Sequence, residues 1–155
     1  MDLYPLFEQM EATAVGTAIR ESLWLFPVVE AVHLLALALL GGAMFVLDLS
    51  ILGVGLRAPS VAVIEKNTRP WLYLAVAVLI ATGVALALSE AVKLFDRNAF
   101  WLKMFALAAA LVFTFAIKIP AVQRRPEASA LKVLAVISIG LWLTVAIAGR
   151  WIGFS

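Results

Sequence analysis

The sequence predicts an all-α fold, an integral membrane four-helix bundle with an N-terminal amphipathic interfacial helix. Of the 155 residues, 65% are hydrophobic, and the mean hydropathy is +1.05, whereas soluble domains are roughly half apolar. The apolar residues are concentrated in four long runs, and a helix needs about 20 such residues to cross a bilayer. The length fits one domain, so residues 1–155 are predicted to form a single membrane domain.

The first predicted element is an amphipathic helix over residues 3–19. Its apolar side chains recur at helical spacing, and its polar side chains fall on the opposite face. The apolar set is Leu3, Leu6, Phe7, Met10, Ala14, Ala18 and Ile19, and the polar set is Glu8, Gln9, Glu11 and Thr13. Such a helix lies in the membrane interface, or it packs on the end of the bundle or on a neighbouring subunit.

The four membrane spans are predicted at about residues 25–52, 70–89, 99–119 and 131–152. Pro27 and Pro70 suit the first turns of the first and second spans, because the N–H that proline lacks has no helical partner there. Pro120 is expected to end the third span, because proline disrupts the interior of a helix.

The basic residues predict the orientation of the chain. Seven follow the first or third span (Arg57, Lys66, Arg69, Lys118, Arg124, Arg125 and Lys132), and five lie on the opposite side (Arg20, Lys93, Arg97, Lys103 and Arg150). Because cytoplasmic loops are enriched in Lys and Arg, this bias predicts a multi-pass protein of the bacterial inner membrane with both termini in the periplasm. The N-terminal MDLYPLFEQMEA carries acids where a signal peptide carries Lys or Arg, so no cleavable signal is predicted.

Polar residues recur on one face of the first span. At 100° per residue, a single stripe carries Glu30, His33, Gly41, Met44 and Asp48. A charged group in lipid costs about 2.5–3.5 kcal/mol on insertion scales, so this stripe is expected to face the bundle interior or a partner. An ordinary interpretation is that Glu30 and Asp48 join helices by pairing with cations such as Lys103 and Lys118.

Several ionisable residues are predicted to meet in the outer third of the membrane. With the termini outside, this level holds Glu30, His33, Glu90, Lys103 and Arg150, together with Trp24, Trp101 and Trp151. The convergence is the strongest indication of a site in the sequence. The ordinary alternatives are snorkelling for Lys103 and Arg150, an interfacial belt for the tryptophans, packing for Met44 and a simple interhelical hydrogen bond for His33.

A membrane-embedded imidazole next to an acid has three characteristic uses, as a haem ligand, a proton relay or a quinone partner. The chain has one histidine and no cysteine, which excludes multi-histidine and thiolate metal sites within one chain. Haem b needs one axial ligand, an apolar slot and cations for its propionates. The expected haem site has His33 on the iron, Glu30 beside it and Lys103 and Arg150 on the propionates. With one histidine per chain, the iron is five-coordinate or takes a sixth ligand from a methionine such as Met44, from water or from a second subunit.

Other function classes lack their signatures. The sequence has no glycine-rich phosphate loop, no HExxH, no G-x-S-x-G and no kinase motif set. A net charge of +2 without a basic stripe indicates no nucleic-acid partner.

Three stretches carry a resemblance to a known family. ESLWLFPVVEAVHLLALALLGG, NAFWLKMFALAAA and SIGLWLTVAIAGRWIGF resemble the DUF6644 family of small bacterial inner-membrane proteins of unknown function. Members often carry an Asn and a terminal Phe-His in the third span, and LVFTFAIKIP has neither. The first-span His and the W-L-x-K segment also resemble, more distantly, four-helix membrane protoporphyrinogen oxidases and copper-resistance membrane domains. That likeness implies b-type haem at His33 and a functional Lys103.

The first hypothesis is therefore a haem b-binding redox protein that transfers electrons, with a redox partner or a quinone. A non-enzymatic scaffold or accessory subunit and a small proton or solute transporter subunit are the alternatives, and whether the chain is an enzyme stays open. Membrane lipid is an expected partner, and the small-residue surfaces predict self-association into a homo-oligomer.

Overall fold

In a computed structural model the chain is described over residues 3–55, 59–126 and 128–152, and the regular structure in these ranges is helical. The helices are α1 (Tyr4–Glu11), α2 (Ala14–Glu21), α3 (Leu25–Leu52), α4 (Val61–Ser89), α5 (Ala91–Phe95), α6 (Asn98–Val112), α7 (Ile119–Arg124) and α8 (Leu131–Ile152). A π-helical turn, Phe113–Lys118, joins α6 to α7 without a break. Arg57 and the Gly153–Phe154 end of the last motif lie outside the described residues.

Four helical segments are long and apolar enough to cross a membrane: α3, α4, α6 with its continuation to Arg124, and α8. The predicted all-helical membrane fold with a short N-terminal helical region is thus confirmed. α3 packs along α4 and also against α8, and α8 packs against α6. We call the end with α1, α2 and α5 the terminal end, and the end with the α3–α4 and α7–α8 connections the loop end.

Two apolar clusters form the core. The central cluster joins all four spans through buried Leu40, Met44, Leu72, Ala75, Ala106, Ala110, Ile119, Trp142 and Val145. The second cluster lies at the loop end and contains Leu47, Ile51, Ile64, Val122, Leu131 and Ala135. The apolar faces of the spans therefore meet over the middle and the loop end of the bundle, and the terminal third depends on other contacts.

The predicted single helix over residues 3–19 is instead two helices. The Thr13 hydroxyl caps α2 by accepting a hydrogen bond from Gly16 N at 3.2 Å, and it donates to the carbonyl of Met10 at 2.8 Å. A threonine that bonds the backbone on both sides favours a helix boundary over a helix interior. Apolar spacing alone did not reveal this break.

The expected roles of two prolines are wrong. The second span begins at Val61, nine residues before Pro70, which lies inside α4. The five residues immediately before Pro70, from Glu65 to Arg69, are polar, so hydropathy marked the long apolar part of the helix and not its start. The third span continues past Pro120, because the π-turn ends at Lys118 and Pro120 lies in the first turn of α7. The N–H that proline lacks is dispensable in a first helical turn.

The α1–α2 pair is fixed on the terminal end of the bundle. A Cβ at Gly16 would lie only 2.5 Å from the Leu88 carbonyl oxygen, so α2 meets α4 at backbone contact distance. The Glu11 carboxylate accepts a hydrogen bond from Val92 N at 2.8 Å and pairs with Arg20 at 3.1 Å. Phe7 is buried against the rings of Phe95, Phe100 and Trp101.

Candidate functional site

A short chain of hydrogen bonds joins His33 of α3 to Thr82 and Val78 of α4. Its Nδ1 lies 2.8 Å from the Thr82 hydroxyl oxygen, and that hydroxyl lies 2.6 Å from the carbonyl of Val78. A hydroxyl has one proton, and the carbonyl oxygen can only accept. The Thr82 proton therefore goes to Val78, and His33 Nδ1 carries the hydrogen that it donates to Thr82. This tautomer leaves the lone pair of Nε2 available.

Two glycines make room for the charged and aromatic groups of this region. A Cβ at Gly83 of α4 would lie 3.3 Å from Cε1 of the His33 ring. A Cβ at Gly149 of α8 would lie 3.4 Å from Cε and 3.5 Å from Nζ of Lys103. The ammonium group of Lys103 is near enough to the imidazole to interact with it electrostatically. We call His33, Thr82, Gly83, Lys103 and Gly149 the imidazole site, and each of the four spans contributes to it.

A second polar group lies nearer the loop end. Lys118 donates to the Asp48 carboxylate at 2.7 Å and to the Ser138 hydroxyl at 2.8 Å, and Ser138 donates to the other Asp48 oxygen at 2.8 Å. Only 0% and 2% of the Lys118 and Asp48 side chains are exposed. This ion-pair cluster ties α3, the π-turn and α8 together, so the pairing that was considered for Asp48 and Lys118 is confirmed.

The two lysines of the third span have different surroundings. Lys118 is neutralised by Asp48. Lys103 is partly buried, yet it forms no salt bridge with a carboxylate of the described residues. Its side chain lies against the uncharged Gly149 of α8. The imidazole site is therefore cationic, and it is suited to an anionic group.

The structure brings together only part of the predicted site. Met44 is buried in the central cluster with its sulfur 3.8 Å from Lys118 Nζ, and its separation of 11 positions from His33 corresponds to about 16 Å of helix. Glu30 is exposed, contrary to the expected interior-facing stripe. It lies about 60° from His33 around the helix, at the edge of the packed face.

The remaining predicted residues lie at the terminal end but outside the imidazole site. Glu90 pairs with Lys93 at 3.1 Å. The Arg150 side chain is exposed beside Gly149, at the end of α8. Trp24 and Trp151 are exposed, whereas Trp101 donates to the Phe95 carbonyl at 3.0 Å and belongs to the aromatic contacts of α1.

Sequence reasoning missed the partners that define both polar groups. Thr82 and Gly83 stand in a run of small residues, ATGVALA, and Ser138 stands in ISIG. An isolated hydroxyl in an apolar span usually bonds its own helix, as Thr82 also does here. Only the crossing of α3 with α4 shows that the Thr82 oxygen has a second partner.

Comparisons with known proteins give the family and little else. The sequence matches the model of DUF6644, a family of unknown function, over residues 7–155. No curated protein matches, and no solved structure matches.

Proposed function

We propose that this chain, which belongs to DUF6644, a family of unknown function, is a haem b-binding redox protein that transfers electrons within the membrane. His33 would hold the haem iron through Nε2, and Lys103 would hold a propionate. We place the protein in the bacterial inner membrane with both termini in the periplasm, where it exchanges electrons with a partner protein or a quinone and forms a homo-oligomer. The bound haem supplies one-electron chemistry.

The His33–Thr82–Val78 hydrogen-bond chain is the observation that carries this proposal. Ligating histidines typically donate their second ring N–H to a neighbouring acceptor, which fixes the tautomer and the ring orientation. The 2.8 Å contact with Thr82 meets this requirement. Gly83 leaves space against the ring, so the imidazole is held between α3 and α4 by contacts that leave Nε2 available.

The donor set fits haem better than a bare metal ion. The described residues contain no group of three or more His, Asp or Glu side chains that could hold an ion. A porphyrin brings four nitrogen ligands of its own and requires one or two from the protein. A propionate also provides the anion that Lys103 lacks among the described side chains. Glu30, Arg150 and Met44 receive no role from these contacts.

Visible spectra test the proposal directly. Protein purified in detergent from haem-replete cells should show a Soret band that shifts on reduction with dithionite, at close to one haem per chain. His33→Ala should abolish the band, and Leu35→Ala, an exposed position on the same helix, should retain it. A colourless wild-type protein, or a band that survives His33→Ala, contradicts the proposal.

A scaffold or accessory subunit is the second candidate, and the exposure of α4 favours it. In the most apolar stretch of α4 only 17% of residues are buried, against 28–39% in the other three spans. A partner protein could cover this face, and the ion-pair cluster would then set the helix register. A colourless protein that co-purifies with a membrane partner through the α4 face would favour this candidate.

A transporter subunit receives the least support from the geometry. The imidazole site and the ion-pair cluster are separated by the apolar central cluster, which includes Leu40, Leu72 and Ala106. The polar groups that the structure describes therefore form no continuous path across the bundle. Proton flux in liposomes that Glu30→Gln abolishes would reverse this ranking.

A further inference from the structure

We infer that the terminal end of the bundle binds one phospholipid whose headgroup has both a phosphate and a primary ammonium group. The site is a cavity of about 580 Å³, which is a usual size for a ligand pocket. We call it the headgroup site, and its lining residues are Lys93, Asp96, Arg97, Asn98, Ala99 and Trp151. It shares no residue with the imidazole site, so it does not depend on the proposed function.

Hydrogen bonds between elements fix the walls of the headgroup site. Arg97 Nη1 donates to the Ile152 carbonyl at 3.4 Å, which joins the α5–α6 connection to the end of α8. Within this connection, Arg97 N donates to the Leu94 carbonyl at 3.1 Å, and the Trp101 indole donates to the Phe95 carbonyl at 3.0 Å. The two charged residues of the connection therefore extend from an ordered backbone.

The charges on the lining balance each other. Lys93 pairs with the Glu90 carboxylate at 3.1 Å, so its charge is matched by that acid. The lining has one further cation, Arg97, and one anion, Asp96. Asp96 forms no salt bridge among the described residues. Because this carboxylate repels a second anion, the site fits a zwitterion better than a ligand that carries only negative charge.

Each half of such a headgroup has a matching partner. The planar guanidinium of Arg97 suits phosphate oxygens, which accept two parallel N–H bonds from it. Asn98 and Ala99 begin α6, and the N–H groups of a first helical turn, which lack helical acceptors, also favour phosphate. Asp96 can accept hydrogen bonds from a primary ammonium, and the exposed Trp151 offers its ring face to the same cation.

An apolar surface continues from the headgroup site toward the middle of the bilayer. On α6, Leu102 and Phe105 lie within about 40° of Asn98 around the helix axis, and they are 54% and 73% exposed. On α8, Ile147 lies one turn before Trp151 on the same face and is 62% exposed.

This continuity favours a lipid over a soluble phosphodiester. α6 packs along α8, and both helices contribute lining residues to the one cavity. Their exposed apolar faces therefore lie side by side below it. A phospholipid places its headgroup in the cavity and its acyl chains on these faces, whereas a soluble phosphodiester would leave the faces unused.

Lipid titrations followed by native mass spectrometry test the site. Delipidated protein in detergent is titrated with phosphatidylethanolamine and, separately, with phosphatidylglycerol of the same acyl chains. The wild-type protein should bind one phosphatidylethanolamine about tenfold more tightly, because only this lipid has an ammonium group that bonds Asp96. Asp96→Asn should remove the preference. Glu21→Gln neutralises an exposed acid outside the cavity and should retain it.

A second pair of variants tests the phosphate half of the site. Arg97→Gln should weaken the binding of both lipids about tenfold, because both carry a phosphate. Arg124→Gln removes an exposed cation at the loop end and should change neither affinity. Soluble glycerophosphoethanolamine has the same headgroup without acyl chains, and at equal concentration it should not displace the bound lipid.

Three results would overturn the site as a receptor for this headgroup: equal affinities of the wild-type protein for the two lipids, a preference that survives Asp96→Asn, or unchanged affinities in Arg97→Gln. Displacement of the lipid by glycerophosphoethanolamine at equal concentration would overturn the lipid as ligand in favour of a soluble phosphodiester. None of these measurements involves haem, so their failure is distinct from a failure of the proposed function.

Discussion

Lys103 and Lys118 lie 15 residues apart in the same span, and their neighbours give them different tasks. Lys118 is enclosed by Asp48 and Ser138, with all its strong donors directed at protein oxygens or at the thioether of Met44. Lys103 lies on Gly149 of α8. Because Asp48 neutralises Lys118, Lys118 attracts a ligand only weakly. Lys103 has no carboxylate partner among the described residues, so it is the better binding residue.

Thr82 is expected to position His33 for its ligand. Thr82→Val keeps the shape of the side chain but removes the oxygen that accepts from Nδ1, so haem affinity should fall by about 10–100-fold, as for other outer-shell partners of ligating histidines. Thr82→Ser retains the oxygen and should restore most of the affinity. Haem titrations followed at the Soret band measure both. Equal affinities for the Val and Ser variants would show that the Thr82 oxygen has no part in positioning.

The ion-pair cluster makes a second prediction at the residue scale. Asp48→Asn or Lys118→Met leaves one buried charge without its partner and should destabilise the protein by about 3–5 kcal/mol. The double variant Asp48→Leu/Lys118→Met removes both charges and should recover most of that loss. Unfolding in mixed micelles of increasing SDS fraction measures the free energies.

The exposed pair Glu90–Lys93 provides the control, because its side chains are 36% and 54% exposed. Glu90→Gln should cost less than about 1 kcal/mol. A double variant at Asp48 and Lys118 that is as unstable as the worse single variant would mean that the cluster contributes through its packing and not through charge.

At the scale of elements, hydropathy predicted which segments are apolar enough to span the membrane. It did not predict the residues at which each helix begins and ends. The first and fourth spans match the predicted bounds. The second begins early because Glu65 and Thr68 extend α4 before its apolar part, and Glu65 is buried by bonding Gln123 of α7 at 3.0 Å. That bond depends on tertiary packing, which the periodicity of one segment does not report.

The π-turn is the other element that the sequence did not reveal. Its six residues, Phe113–Lys118, end on the lysine of the ion-pair cluster, and Thr114 within it accepts from the Trp142 indole at 3.1 Å. A π-turn shifts the following residues around the helix axis, and such turns are frequent at functional sites. Nothing in FTFAIK distinguishes it from an ordinary α-helical turn.

Gly16 gives a prediction for the attachment of α2. Gly16→Ala places a methyl group 2.5 Å from the Leu88 carbonyl oxygen, so α2 must move, at a cost of about 1–3 kcal/mol. Amide hydrogen exchange should rise throughout α1 and α2. Gly42→Ala on α3 is the control, because a Cβ there has no described neighbour within 4 Å and Ala favours the helix by about 1 kcal/mol. Unchanged exchange in Gly16→Ala would show that α2 is held by its other contacts.

For the whole molecule, the site was only partly predictable. Depth along the spans brought His33 and Lys103 to one level, and the structure keeps them within electrostatic reach. The same argument grouped Glu30 and Arg150 with them, because depth says nothing about direction around a helix axis. The rotation of α3 is set by its packing on α4 and α8, and that packing carries Asp48 inward and leaves Glu30 exposed.

The orientation in the membrane is the last prediction, and it depends on the basic residues of the whole sequence. Seven basic residues lie on the loop side and five on the terminal side, and this bias favours a cytoplasmic loop end. The even number of spans puts both termini on one side.

Because the chain has no cysteine, single cysteines report this orientation without a background. Asn98→Cys at the terminal end should react with a membrane-impermeant maleimide in intact spheroplasts. Ser129→Cys at the loop end should react only after lysis, although the Ser129 and Asn98 positions are both exposed. The reverse pattern would put the imidazole site in the cytoplasmic third of the membrane, and its redox partner would then be a protein or quinone reached from that side. Labelling of both cysteines before lysis would mean that the chain inserts in two orientations, as antiparallel dimers require.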